Sequence, residues 1–259
     1  MTTGSPVRLI ISFSIPLLIG NIFQQFYSMV DTIIVGRYVG PDALAAVGAT
    51  GSLSFLVLGF VMGLTGVLIA QRFGAGDMDG MRHATAMAIL LCAGITVVLT
   101  VLSALFTRPL LALMQTPENI FEDSYRYIII IFLGVAAPMF YNMISSVLRA
   151  LGDSKTPLYF LIVSSVLNVV LDFIFILNFS MGVAGAAVAT VLSQGVSGLL
   201  CLVYMVKRYK ILAFHKKDWR MDAPLCANHL KISLPMAFQF SITAIGGIVL
   251  QGAINSFGS

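Results

Sequence analysis

The chain has 259 residues, of which 58% are hydrophobic and 10% charged, and its mean hydropathy is +0.96. Soluble domains carry about 25% charged residues, so this balance excludes an ordinary soluble domain. The net charge of +4 is spread over loops rather than gathered into a nucleic-acid-binding patch, and three cysteines give no disulfide framework.

A membrane crossing needs about 20 mostly apolar residues, and the chain supplies them repeatedly. The first predicted span covers about residues 7–38. It starts like a signal peptide, with Arg8 before an apolar run, but the run continues through Gln24, Gln25 and Asp31. That is too long for a cleaved segment, and a retained helix is expected. The second span covers about 42–73, the third 83–107 and the fourth 121–148. The stretch from Thr156 to Val206 is too long for one helix, and Asn178, Ser180, Met181 and Gly182 divide it into a fifth span, 156–178, and a sixth, 184–208. A basic stretch follows, and a seventh apolar run reaches residue 259. The fold class is therefore an all-α membrane protein.

Pro16 and Pro138 lie inside spans, where a missing N–H removes a backbone bond and kinks the helix. Gly59, Gly63 and Gly66 have the spacing of close helix packing. An internal repeat is also visible: Ser14-Ile15-Pro16 matches Ser233-Leu234-Pro235, each leading into a long apolar helix. The chain thus restarts after six spans. We expect a six-helix lobe over 1–208, a basic cytoplasmic loop over 209–228, and over 229–259 the first helix of a second lobe whose remainder lies outside this chain. With the N-terminus in the cytoplasm, only Arg37, Arg108 and Arg126 of the 15 Lys and Arg fall outside, the asymmetry the positive-inside rule requires.

Asp31 and Asp172 are the only charged residues at apparent bilayer depth. An Asp at the centre of a span costs about 2.5–3.5 kcal/mol, so each marks an ion or proton site, and each is the other's candidate partner. Helical spacing adds polar stripes. Asn21, Gln24, Ser28 and Asp31 share one face; so do Ser164, Asn168 and Asp172, and Thr190 and Gln194. Two adjacent carboxyls in a low dielectric cannot both stay ionised cheaply, so they would share a proton and titrate as a unit. Asn168 and Thr190 add neutral oxygens that suit Na⁺ equally. The residues leave H⁺ and Na⁺ both open, with Na⁺ possible at Asp31, Asn168 and Asp172, and call for no organic cofactor.

Five motifs in order carry a family resemblance. They are Val30-Asp31-Thr32; Ala70-Gln71-Arg72-Phe73-Gly74-Ala75-Gly76-Asp77; Leu148-Arg149-Ala150-Leu151-Gly152-Asp153; Asn168-Val169-Val170-Leu171-Asp172; and Gly185-Ala186-Ala187-Val188-Ala189-Thr190. Together they resemble the N-terminal lobe of a multidrug and toxic compound extrusion (MATE) transporter of the DNA-damage-inducible, proton-linked branch. The resemblance implies two six-helix lobes around a V-shaped cleft. It implies a non-enzymatic exporter of organic, cationic or neutral amphipathic compounds by antiport with H⁺ or Na⁺, in a bacterial plasma membrane. It implies Asp31, Asn168, Asp172 and Thr190 as the coupling-ion cluster, a bending helix at Pro16, and Gln24, Asn142 and Ser165 as cargo-lining positions. The expected partners are small-molecule cargo, the lipid bilayer and the second lobe, with no nucleic acid.

Two other functions share parts of this pattern. An intramembrane aspartyl protease also uses two membrane aspartates, but resembles Tyr-Asp on one helix and Gly-x-Gly-Asp on the other. Here Val30 and Leu171 precede the aspartates, and the one Leu-Gly-Asp, ending at Asp153, falls in a charged loop. A flippase for lipid-linked sugars would want several basic residues at depth to meet phosphate, and the predicted spans carry none.

Overall fold

The computed structural model describes residues 6–62, 67–212 and 214–256. In chain order the helices are α1 (Pro6–Tyr38), α2 (Pro41–Met62), α3 (Val67–Gly74), α4 (Met78–Leu113), α5 (Glu118–Leu133), α6 (Ala136–Ala150), α7 (Lys155–Phe173), α8 (Val183–Arg208) and α9 (Ala223–Asn255). A π turn, Ile174–Asn178, continues α7, and two short 3₁₀ turns, Lys210–Leu212 and Lys216–Trp219, lie between α8 and α9. Among the described residues all regular secondary structure is helical, without strands. Among the described residues six helices are long and apolar enough to cross a membrane, and the bent α5–α6 pair is a seventh if it crosses as one span.

The fourth predicted span is therefore two helices meeting at 46°. Pro138 has no N–H to offer the Gly134 carbonyl, which accepts instead from the Ala137 N–H at 3.0 Å. The break falls one turn before the proline, where the lost bond would have ended. The site is also crowded from outside: a Cβ on Gly134 would lie 2.4 Å from Val191 Cγ2 of α8, so only glycine lets α8 approach. The division between the fifth and sixth spans also stands, with positive φ at Ser180 and Gly182 turning the chain. The second predicted span is represented by α2 and α3; Gly63 and Gly66 lie outside the described residues. Two helices begin earlier than expected because aspartates cap them: the Asp77 side chain accepts from the Gly80 N–H and Asp222 from the Leu225 N–H.

Large apolar side chains cover the outside of the bundle as well as its core. Ile22, Leu105, Val166, Val206 and Ile242 are exposed, as lipid-facing side chains must be, while Asp31, Asn168, Asp172 and Ser197 are buried. The main apolar core joins α2, α5 and the start of α8 through Leu53, Ile128, Phe132 and Ala186; a second joins α4, α6 and the end of α8 through Met81, Ile144, Leu148 and Met205. α9 lies along α2 and the ends of α4. Gly59 admits Phe240, Asn255 Nδ2 donates to the Met114 carbonyl at 2.9 Å, and His229 Nε2 donates to the Ala84 carbonyl at 3.1 Å. Pro16 and Pro235 sit inside α1 and α9, both 33 residues long.

Candidate functional site

Three helices bring the predicted cluster together. α1 contributes Asp31, α7 contributes Asn168 and Asp172 one turn apart, and α8 contributes Thr190 and, one turn on, Gln194. Asp31 is 6% exposed, and Asn168 and Asp172 have no exposure at all. Asn168 Nδ2 donates to Thr190 Oγ1 at 3.4 Å. The Asp31 and Asp172 carboxyls are hydrogen-bonding neighbours, close enough to share one bond when either carries the proton.

With both carboxyls ionised, four oxygens here have no donor: Asp31 Oδ1, both oxygens of Asp172, and Asn168 Oδ1. Isolating a buried charge costs several kcal/mol, because no water replaces the missing partner. An orphaned set of acceptors around one point calls for a positive charge to enter it. A proton shared by the carboxyls satisfies the demand, and a small hard cation bound by the same oxygens satisfies it too. Among the described residues no group of three or more His, Cys, Asp or Glu side chains is placed to hold a metal ion.

Two tyrosines outside the predicted stripes complete the cluster. Tyr27 and Tyr127 of α5 line the same cavity as Asp31, Thr190 and Gln194, within electrostatic reach of the carboxyls. The signal is present in the sequence: Gln24, Tyr27 and Asp31 follow the same helical spacing as the polar stripe of α1, but the aromatic ring places Tyr27 among packing residues.

The cluster stands in the wall of a cavity of about 580 Å³ between α1, α2, α5 and α8. Asn21, Gln24, Tyr27, Ser28, Asp31, Thr190 and Gln194 line it, while Asn168 and Asp172 lie behind that surface. A smaller cavity, about 280 Å³, adjoins it and shares Asn21, Gln24 and Gln194. Pro16 and Asn142 line this second space, and Asn142 Nδ2 donates to the Pro138 carbonyl at 2.8 Å. Arg149, which the sequence puts in a turn, also lines it from the last turn of α6. Ser165 is elsewhere. It lines an apolar groove between α1 and α7 with Phe23, Phe26 and Val166, and its hydroxyl donates to the Leu161 carbonyl at 2.9 Å.

Comparison with known proteins finds the same architecture. The family model described as MatE matches residues 16–174. The chain is 34% identical to the "Probable multidrug resistance protein YpnP" of Bacillus subtilis, over 99% of this chain and 58% of that protein. It is 23% identical to the "Multidrug export protein MepA" of Staphylococcus aureus, over 98% of this chain and 57% of that protein. The chain thus spans a little over half the length of these relatives. Among solved structures, it resembles one described as the inward-facing conformation of a multidrug resistance MATE family transporter of the MOP superfamily. The TM-score is 0.82 at 28% identity, covering 91% of this chain and 54% of that one.

Proposed function

The chain belongs to the MatE family, whose members are membrane transporters rather than enzymes, and from that premise we propose that it forms the ion-coupling half of a multidrug exporter driven by antiport. The observation that carries the mechanism is the orphaned carboxyl pair, with Asp31 in the wall of the larger cavity and Asp172 buried behind it. Ionised, the pair is a buried negative site that a cationic cargo in the cavity would stabilise. Protonated, it loses that attraction, and the shared hydrogen bond draws α1 and α7 together. Cargo and cation therefore bias one element in opposite directions, which is the thermodynamic content of antiport. Asn168 and Thr190, joined to each other, are the pair's neutral neighbours, and Tyr27 and Gln194 line the cavity beside it.

α1 is the moving part in this scheme. It carries Pro16 in its first half and Asp31 in its second, and Pro16 sits in the wall of the smaller cavity. Bending at Pro16 changes both cavities together. Gln24, common to both, and Asn142 are the polar positions that cargo would meet. H⁺ is the preferred coupling ion, because the two acidic side chains here are mutual neighbours and one proton satisfies the pair; Na⁺ is the alternative.

The same proposal assigns residues 1–208 to one lobe, 209–228 to a linker, and 229 onward to the start of a second lobe. The Ser-x-Pro repeat and the greater length of the relatives support it. The skew of Lys and Arg supports a plasma membrane location with the N-terminus in the cytoplasm.

Transport by proteoliposomes that hold the complete two-lobe exporter tests the scheme. An imposed proton gradient is expected to drive efflux of a cationic dye, and Asp172→Asn to stop it. Efflux that ignores pH but follows a Na⁺ gradient would replace the proton in this account; efflux unchanged in Asp172→Asn would end it.

A further inference from the structure

We infer that Arg149, in the smaller cavity, anchors an anion subsite that receives the carboxylate of an amphipathic cargo molecule.

Arg149 is half-buried at the end of α6. The acid nearest in sequence, Asp153, is occupied: its carboxylate accepts from the Thr156 N–H at 3.0 Å, from Thr156 Oγ1 at 2.7 Å and from the Tyr209 hydroxyl at 3.1 Å. Arg149 Nη2 donates to the neutral Ser146 Oγ at 2.8 Å. Among the described residues it forms no ion pair, and no carboxylate lines the cavity that it borders. A guanidinium carries five N–H donors in a planar fork, so most of its donor capacity is unspent. Removing such a group partly from water without a counter-charge is costly, and the remedy is an anion in the cavity.

The surroundings select the anion. Tyr141, Asn142, Ser146 and Ser154 border the same space and are neutral, and the Ser154 side chain makes no cap bond to α7. One positive charge among neutral hydrogen-bonding groups matches a monoanion, and the planar fork matches a carboxylate. The cavity also opens toward the larger one through Asn21, Gln24 and Gln194. A ligand held by its carboxylate at Arg149 would lay its remaining body along those amides. A lipid phosphodiester has the same charge, but the groove that faces lipid beside α1 is apolar and does not include Arg149.

This deepens the efflux reading, since it takes the ligand to be cargo, yet binding can be tested without transport. The protein would be placed in phosphatidylcholine nanodiscs and titrated with dansylglycine and with dansylglycine methyl ester, following dansyl fluorescence. The acid is expected to bind about tenfold more tightly than the ester. Arg149→Gln should remove that preference and leave ester affinity within about twofold. If Arg149→Gln fails to assemble, Arg149→Lys serves: it keeps the charge but not the fork, and should lose a substantial part of the preference. Equal binding of acid and ester by the unaltered protein overturns the subsite, as does an equal loss of both in the variants. Abolition of the preference by phosphatidylglycerol in the disc would assign Arg149 to a lipid headgroup and overturn the cargo assignment. Dye efflux measured alongside separates the two ideas: acid preference without gradient-driven efflux sinks the transport reading alone, and efflux without acid preference sinks the subsite alone.

Discussion

Asp218, in the loop before α9, and Asp172, near the end of α7, are nearly without solvent contact, at 3% and 0% exposure. Their surroundings differ completely. Asp218 Oδ2 accepts from the His215 backbone N–H at 2.7 Å and lies 3.8 Å from Arg82 Nε and 3.6 Å from His215 Nδ1. Arg82 also binds Asp79, and the Asp218 carbonyl accepts from His83 Nδ1 at 2.8 Å. That network ties the loop to the start of α4. Asp172 has no donor for either oxygen. A buried charge that is answered on several sides reads as anchorage, while one left unanswered has been kept for something that comes and goes.

The contrast is broken most severely by exchanging the carboxyls. Asp172→Asn is expected to reduce proton-driven efflux to background while leaving assembly and thermal stability unchanged or improved, since an amide removes a buried charge and can donate to Asp31. Efflux assays and thermal unfolding in detergent check the two halves. Asp218→Ala should do the reverse. It should retain gradient-driven efflux but weaken the loop's attachment by about 1–2 kcal/mol, read as faster amide exchange over residues 215–222.

A smaller effect separates the two sites by pH. The His215 N–H, aided by the Arg82, His215 and Lys217 charges, holds the Asp218 carboxyl below its ordinary range. A carboxyl depressed in the folded state contributes stability above its unfolded value, about 3.9, and loses it only as pH falls through the lower folded value. The Asp218 carboxyl itself should therefore contribute nothing to any change in exchange protection of residues 215–222, corrected for the intrinsic rate, between pH 7 and pH 5. Over the same interval the pH response of transport should be lost in Asp172→Asn and kept in Asp218→Ala. The smallest effect is expected at Ser165. Its hydroxyl is satisfied within α7 and faces the apolar groove, so Ser165→Ala should leave cargo affinity within about twofold in a binding titration.

Much of the architecture is legible in the sequence because membrane crossing requires long apolar runs, and soluble cores seldom use runs of that length. The Asp31, Asn168, Asp172 and Thr190 cluster is legible from cost and periodicity: residues expensive to bury, one turn apart, must face each other or a wet space. What is not legible depends on three-dimensional neighbours. The Pro138 kink can be foreseen, but not that it becomes a 46° break at Gly134 against Val191. Tyr27 and Tyr127 look like packing residues until the fold sets them in the cavity wall with Asp31. Ser165 lies three residues before Asn168 and seven before Asp172, so helical spacing groups it with them; only the packing of α1 against α7 puts it on the apolar groove instead. Arg149 reads as a loop cation because the sequence does not show that the helix end borders a cavity.

The central claim is that the Asp31–Asp172 pair exchanges its proton for cargo. It is tested most directly by adding a cationic cargo to the purified protein in weakly buffered solution and reading a pH-indicator dye. The account predicts release of about one proton per molecule from the unaltered protein, and none from Asp31→Asn or Asp172→Asn. Cargo that binds without releasing a proton, or equal release from the two variants, would contradict it.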